Sequence, residues 1–509
     1  MTTAAPRLAT APAAAIPPFE HSYATLPERF FARIAPTPVR APLLLRLNLP
    51  LAAELGLDAD WLAGPHGVAM CAGNRLPASA QPLAMAYAGH QYGQFVPSLG
   101  DGRALLLGEV IDHAGQRRDL QLKGAGRTPF SRSGDGRAVL GPMLREYILG
   151  EAMQGLGIPT TRALAVVATG EPVLRERPEP GAVLTRVAAS HIRVGTFEYF
   201  ARRGDLDAVR TLADYVIDRH FPALTEHAAP YVELLAAIAA RQGELIARWL
   251  LVGFIHGVLN TDNVALSGET IDFGPCAFMD RYDPNQVYSS IDHFGRYAYA
   301  QQPSIGLWNL TQLANCLLPL LDPDSEAAKA QARGALEAYG RAFASAYAGG
   351  LRAKLGLLAA AGTDQDADDE LVQDLLGRMA AHHADFTNTF RALSDARPDQ
   401  PHTLAAVRTQ FDEAAAFDTW AEDWRARLAR QAEPDAARQA RMRTVNPAFI
   451  PRNHRVQQVI DAATERGDLA PLEQLLSVVS RPYDDHTGLA AYRQPPQPHE
   501  VVRQTFCGT

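Results

Sequence analysis

At 509 residues the chain has room for about three folding units of roughly 150 residues each. Hydrophobic residues at 47% and charged residues at 20% match ordinary globular usage, which excludes collagen-like, mucin-like and wholly disordered chains. Basic residues number 48 against 56 acidic ones, a net charge of −8, so a duplex-wrapping or polybasic membrane role for the whole chain is disfavoured.

The four cysteines, Cys71, Cys276, Cys316 and Cys507, are scattered and form no CxxC pair, which argues against a disulfide scaffold or a zinc ribbon and for a reducing compartment. Near the start, Pro6, Pro12, Pro17 and Pro18 interrupt the compact apolar stretch that a signal peptide needs. No apolar run nears the ~18 residues of a membrane span. The expectation is a cytoplasmic protein that binds neither membrane nor nucleic acid, with a monomer as the simplest state.

In chain order, residues 1–97 read as a lead-in segment in which Pro-containing loops alternate with short helical pieces such as PLLLRLNLPLAAELGL. At about 98 the character changes. The turn SLGDGR precedes two segments of strand length, ALLLGEVI at 104–111 and DLQLKG at 119–124. A helix is predicted over 138–156, where Leu140, Leu144, Ile148 and Met153 recur about once per turn and Gly157 and Pro159 stop it. TRALAVVAT and AVLTRVAAS complete a sheet-bearing lobe over 98–203. Residues 204–430 read as a larger helical lobe, interrupted by a loop and strand passage at 254–280, with the charged run DQDADDE as a solvated face or loop. Residues 431–509 form a C-terminal extension. The expected fold class is α+β: a smaller mixed β-sheet lobe, a larger mostly helical lobe with a helical extension, and a ligand cleft between the lobes.

Candidate chemistry begins at Gly100, Asp101, Gly102 and Arg103, where glycines let backbone N–H groups approach a polyphosphate. Two glycines beside a strand are more often only a turn. Lys123 ends the next strand and Glu146 lies 23 residues on, inside the helix. A strand-borne cation can hold a phosphate when a carboxylate orients it, although Glu146 alone reads as a solvated helix-face residue. The order of turn, strand, Lys and helix with Glu is that of the protein-kinase pattern.

The sharpest segment is FIHGVLNTDNVALSGETIDFGPCAFMD. His256 and Asn263 keep the spacing of a kinase catalytic loop, and Asp272, Phe273 and Gly274 follow after a short strand, so that an Asn and an Asp can share divalent ions. The general-base position is Val258, which accepts no proton. Asp262 is the nearest carboxylate and reaches the same centre from another side; in isolation it reads as a turn residue. Arg127, Arg132, Arg137, Arg186 and Arg193 are more cations than such a cleft needs, and guanidinium forks suit the end of a triphosphate.

The runs YAGHQYGQFVPSLGDGRALLLGE, LQLKGAGRTPFSRSGDGRAVL, HGVLNTDNVALSGETIDFGPCAFMD and NPAFIPRNHRVQQVI closely resemble the selenoprotein O (SelO/YdiU) family, from about residue 20 to the C-terminus. The resemblance implies a protein-kinase-like fold, a pseudokinase turned protein adenylyltransferase, which binds ATP in an inverted orientation and moves AMP onto the hydroxyls of proteins. It implies that Gly100, Gly102, Arg103, Lys123, Asp135, Gly136, Arg186 and Arg193 contact the nucleotide. Asn263 and Asp272 would hold magnesium or manganese, Asp262 would accept the proton, and Glu146 would pair with Lys123. Some members of that family carry selenocysteine near the C-terminus, where this chain has Cys507. A reversible Cys276–Cys507 disulfide tethering the tail to the site is one hypothesis, and a buried Cys276 with an idle tail thiol is the other. Both thiols staying free under oxidising conditions discards the tether.

Two other readings stay open at this level. A true kinase fits the metal ligands and conflicts only with Val258 and the arginines. A binding-only scaffold has no need for an intact Lys, Glu, Asn and Asp set. A zinc enzyme is barely supported, because His90, His256 and His293 lack ligand spacing.

Overall fold

The computed structural model describes residues 18–358 and 364–506. Within it the strand signals are met. Ala104–Ile111, Arg117–Lys123, Arg162–Leu174 and Pro178–Ala188 are strands, and the order across the sheet is Phe31–Arg33, Leu83–Met85, Ala104–Ile111, Arg117–Lys123, Pro178–Ala188, Arg162–Leu174, Leu43–Leu47. The short strand Ala138–Val139 pairs with Pro178–Ala188 off this path. The sheet expected to be mixed is antiparallel at every named pairing among the described residues.

Three of these strands come from the lead-in segment, which therefore builds both edges of the sheet. PLLLRL, expected to be helical, is a strand at Leu43–Leu47 paired with Arg162–Leu174. The reason lies far along the chain, in the open edge that Arg162–Leu174 offers. The helix starts only at Leu49, where the Asn48 side chain accepts from the Leu51 N–H at 3.2 Å and satisfies an otherwise orphaned donor.

The helix Leu140–Gly155 lies on the sheet. It ends where Gly and Pro predict: Gly157 takes φ 73°, and the Ile158 N–H turns back onto the Met153 carbonyl at 2.9 Å. Its outer face is covered by the C-terminal helices Asn453–Arg466 and Ala470–Val479. Leu144, Tyr147 and Ile148 share one core with Val456, Val459, Leu472 and Leu475, and each such buried aliphatic side chain contributes about 1.5–3 kcal/mol.

After the sheet the chain is mainly helical. Pro230–Leu251 packs along Ser325–Lys354, and a Cβ on Gly243 would stand 2.5 Å from the Tyr339 carbonyl. DQDADDE opens the helix Asp364–Ala381; Gln365, Asp366, Ala367 and Glu370 are exposed, as a solvated face requires, while Asp368 turns inward. Asp368 is buried and takes Arg427 Nε at 2.6 Å and Nη2 at 3.0 Å, because a charge repaid by a two-pronged cation can leave water. Among the described residues no helix is long and apolar enough to cross a membrane. Residues 1–17 and Cys507, on which the leader and disulfide readings rest, lie outside the described residues.

Candidate active site

Strand and helix bring Lys123 and Glu146 together: Lys123 Nζ donates to Glu146 Oε2 at 2.5 Å and to Asp272 Oδ1 at 2.9 Å. Arg186, on the neighbouring strand, donates through Nη1 to Asp272 Oδ1 at 2.7 Å and to Glu146 Oε1 at 3.3 Å. Arg193 Nη1 reaches Asp272 Oδ2 at 2.5 Å and the Asp262 carbonyl at 2.7 Å. Three cations thus converge on one carboxylate. Burial pushes the Asp272 carboxyl up, but Lys123, Arg193 and Arg186 outweigh it and hold it well below the usual carboxylate range. Asp272 also adopts φ 63°, a left-handed backbone that a non-glycine residue holds only when its surroundings enforce it.

The passage 254–280 forms around this point. Phe254–Ile255 pairs antiparallel with Ala277–Phe278, closing a loop that contains the single turn Thr261–Asn263. Asn263 Nδ2 donates to the Val258 carbonyl at 2.8 Å, which orients the amide and turns its oxygen away from that bond. The amide oxygen of Asn263 and the carboxylate of Asp272 are hard oxygen donors of the type magnesium and manganese take, so the residues present fit such an ion. Among the described residues they gather no cluster of three or more His, Cys, Asp or Glu suited to a metal. His256 hydrogen-bonds through Nε2 to the Ile271 carbonyl at 2.9 Å and sits inside the core. Its burial favours the neutral ring.

Asp262 is buried, and desolvation pushes its carboxyl up to about 6. Oδ2 accepts from Gln91 Nε2 at 3.1 Å, while Oδ1 is buried without a hydrogen-bond partner among the described residues.

The glycine turn serves the site through packing. Gly100 takes φ 62°, and a Cβ there would stand 2.3 Å from the Phe130 ring. Its N–H donates to the Tyr87 carbonyl at 3.0 Å, and the Gly102 N–H to the Gly100 carbonyl at 2.9 Å, so both amides already have backbone partners. The Arg103 carbonyl accepts from the Gly124 N–H at 2.7 Å, joining the turn to the segment after Lys123. Gly136 packs against Gly126, whose N–H donates to the Gly136 carbonyl at 3.0 Å. Asp135 is exposed and paired with Arg175 Nη1 at 2.8 Å.

The five arginines do not act as one group. Arg186 and Arg193 are buried in the cluster, whereas Arg127 and Arg132 are exposed and Arg137 donates to the Thr37 and Pro38 carbonyls at 3.0 and 2.9 Å. Three further side chains complete the site. Gln121 Oε1 accepts from Arg186 Nη2 at 2.6 Å, and its Nε2 donates to Asp101 Oδ2 at 3.2 Å, tying the glycine turn to the cations. It lies two residues before Lys123 on the same strand face, so alternation signalled it. Arg145, next to Glu146, donates through Nη2 to the Cys276 carbonyl at 2.6 Å and to Asn453 Oδ1 at 2.7 Å. Gln91 had no local signal. Beside Cys276, the tail docks at Thr505, whose N–H donates to the Tyr288 carbonyl at 2.8 Å and whose hydroxyl donates to the Pro275 carbonyl.

A family model described as protein adenylyltransferase SelO matches residues 16–480. The chain is similar to the protein nucleotidyltransferase YdiU of Rhodopseudomonas palustris (strain BisB18), with 62% identity over 492 residues that cover 97% of this chain and 99% of that relative. The protein nucleotidyltransferase YdiU of Bradyrhizobium diazoefficiens is 61% identical over 97% of this chain and 99% of its own length. That of Rhizobium meliloti (strain 1021) is 60% identical over 96% and 99% respectively. A match of this extent, on a chain that gathers Lys123, Glu146, Arg186, Arg193 and Asp272 at one point, makes this protein a nucleotidyltransferase belonging to the SelO family of protein adenylyltransferases.

Proposed function

We propose that this enzyme moves AMP from ATP to Ser, Thr or Tyr hydroxyls of acceptor proteins, with ATP held in reverse in a kinase-like cleft between the sheet lobe and the helical lobe. The observation that carries the reading is the convergence of Lys123, Arg186 and Arg193 on Asp272 beside the half-satisfied carboxylate of Asp262. Such a buried store of positive charge suits the outer phosphates of ATP, and Arg193 Nε, buried without a partner among the described residues, is a donor still to be used. Gly100, Gly102, Arg103, Asp135 and Gly136 would frame the rest of the nucleotide.

With the inner phosphate facing the acceptor, Asp262 is the base. Its carboxylate takes the proton of the attacking hydroxyl as the new O–P bond forms at the α-phosphorus, and the bond to the β-phosphate oxygen breaks to release pyrophosphate. Asn263 and Asp272 would hold a magnesium or manganese ion, whose chemistry when bound is to neutralise charge on the phosphate oxygens. Val258 stands where a phosphoryl-transferring kinase needs its base, which weighs against γ-phosphate transfer.

Label position tests the proposal. Incubation with a divalent ion and ATP labelled at the α-phosphate is expected to mark acceptor protein, γ-labelled ATP is not, and Asp262→Ala is expected to abolish marking while the protein stays folded. Marking by the γ-label would overturn the reading.

A further inference from the structure

We propose that Gln91 is a positioning residue for the Asp262 carboxylate, delivered by a hairpin that acts as the mount of the catalytic loop. The inference rests on the assignment of Asp262 as the base and adds the device that aims it. The hairpin pairs Gly89–Gln91 antiparallel with Gln94–Val96. Tyr92 and Gly93 turn it at φ 52° and 82°, the two positive values of a tight two-residue turn whose twist suits the strands. Its residues precede the glycine turn in sequence and belong to none of the nucleotide-contacting motifs.

Three consecutive hairpin residues hold three consecutive loop residues. The His90 N–H donates to Thr261 Oγ1 at 2.6 Å, Gln91 Nε2 to Asp262 Oδ2 at 3.1 Å, and the Tyr92 N–H to Asn260 Oδ1 at 3.1 Å. A buried pair locks the arrangement from behind: Thr261 Oγ1 donates to Glu198 Oε2 at 2.5 Å, and His90 Nδ1 lies 2.5 Å from Glu198 Oε1. The hairpin is therefore fixed to the loop by backbone and side chain alike, and the Gln91 side chain carries its bond to the carboxylate.

The two oxygens of Asp262 have different surroundings. Gln91 engages Oδ2, whereas Oδ1 is buried with no hydrogen-bond partner among the described residues. A buried acceptor left without a donor is costly, and such a cost is retained where the surrounding structure holds the group in place for a purpose. A carboxylate pinned at Oδ2 is held in one orientation, with Oδ1 kept against Gly89. Gly89 makes the close approach possible, since a Cβ there would stand 2.5 Å from Oδ1.

The experiment uses the full chain with manganese, casein as a generic acceptor and α-labelled ATP, comparing Gln91→Ala, Gln91→Glu, Asp262→Ala and the double variant Gln91→Ala with Asp262→Ala. Gln91→Ala is expected to lower kcat about 10- to 100-fold, the scale of a misplaced reacting group, with KM for ATP within about twofold and the thermal midpoint kept. Gln91→Glu retains the shape of the side chain and guards against a misfolded alanine variant. It sets a carboxylate against a carboxylate and is expected to lose at least as much. In the Asp262→Ala background the Gln91 change is expected to add nothing. Wild-type kcat in Gln91→Ala, a loss confined to KM, or an equal further loss in the double variant would each overturn the positioning role alone. Full labelling by Asp262→Ala would overturn the base assignment and the positioning role together.

Discussion

Gly89→Ala tests the geometry of the site by adding a single methyl group. Gly89 does not take a positive φ, so alanine fits its backbone and only the new Cβ matters. That atom would stand 2.5 Å from Asp262 Oδ1, 2.9 Å from its Cβ and 3.0 Å from its Cγ, against an ordinary contact of 3.4 Å or more. The carboxylate must retreat by about 0.9 Å, because the hairpin that carries Gly89 is bonded to Asn260 and Thr261 and cannot move instead. Misplacement of about 1 Å costs on the order of 100-fold in rate, or about 2.7 kcal/mol of barrier, while overpacking of this size costs about 1–3 kcal/mol in stability. Steady-state labelling with α-labelled ATP, read beside a thermal melt and a nucleotide-binding titration, separates the two. The expected result is a kcat reduced about 100-fold, ATP affinity within about twofold of wild type, and a folded protein at the assay temperature. A Gly89→Ala enzyme with wild-type kcat would show that the Asp262 carboxylate is not held where the rate requires it.

Two further outcomes follow from buried charge. Lys354 ends the long helix Ser325–Lys354 with its ammonium 4.4 Å from the Phe390 ring centre, and burial pushes it down from 10.5 to about 7. Between those pH values the unfolded chain binds more protons than the native one, so stability rises with pH across that window, by about 4 kcal/mol from pH 7 to 10.5. Lys354→Met removes the dependence; its denaturant midpoint is expected to exceed that of wild type by the equivalent of about 4 kcal/mol at pH 7 and about 2 kcal/mol at pH 9, and a gap that does not change with pH contradicts the burial argument. At the site, Arg193 Nη1 donates to Asp272 Oδ2. Arg193→Ala is therefore expected to tighten manganese binding several-fold in the absence of nucleotide, measured by electron paramagnetic resonance, and unchanged or weaker binding goes against a carboxylate guarded by its own cations.

What could be read from the sequence divides by distance along the chain. Strands such as Ala104–Ile111 and the stop at Gly157 follow from neighbours a few residues away, and Lys123, Glu146 and Asp272 announce themselves through order. Gln121 was within reach, since it shares a strand face with Lys123. The strand Leu43–Leu47 was not, because its partner Arg162–Leu174 lies far off and a leucine run suits a helix equally well. Asp368 failed for the same reason, as nothing near an acidic run indicates an arginine 59 residues later. Arg127, Arg132 and Arg137 were grouped with Arg186 and Arg193 by chemistry alone, and burial separates them.

Gln91 and Asp262 are 171 residues apart in sequence, and that interval matters during synthesis. A growing polypeptide releases the hairpin from the ribosome long before its counterpart exists, so every intermediate length short of residue 262 lacks the carboxylate proposed as the base. The contact between Gln91 and Asp262 can form only when late-made chain returns to early-made chain.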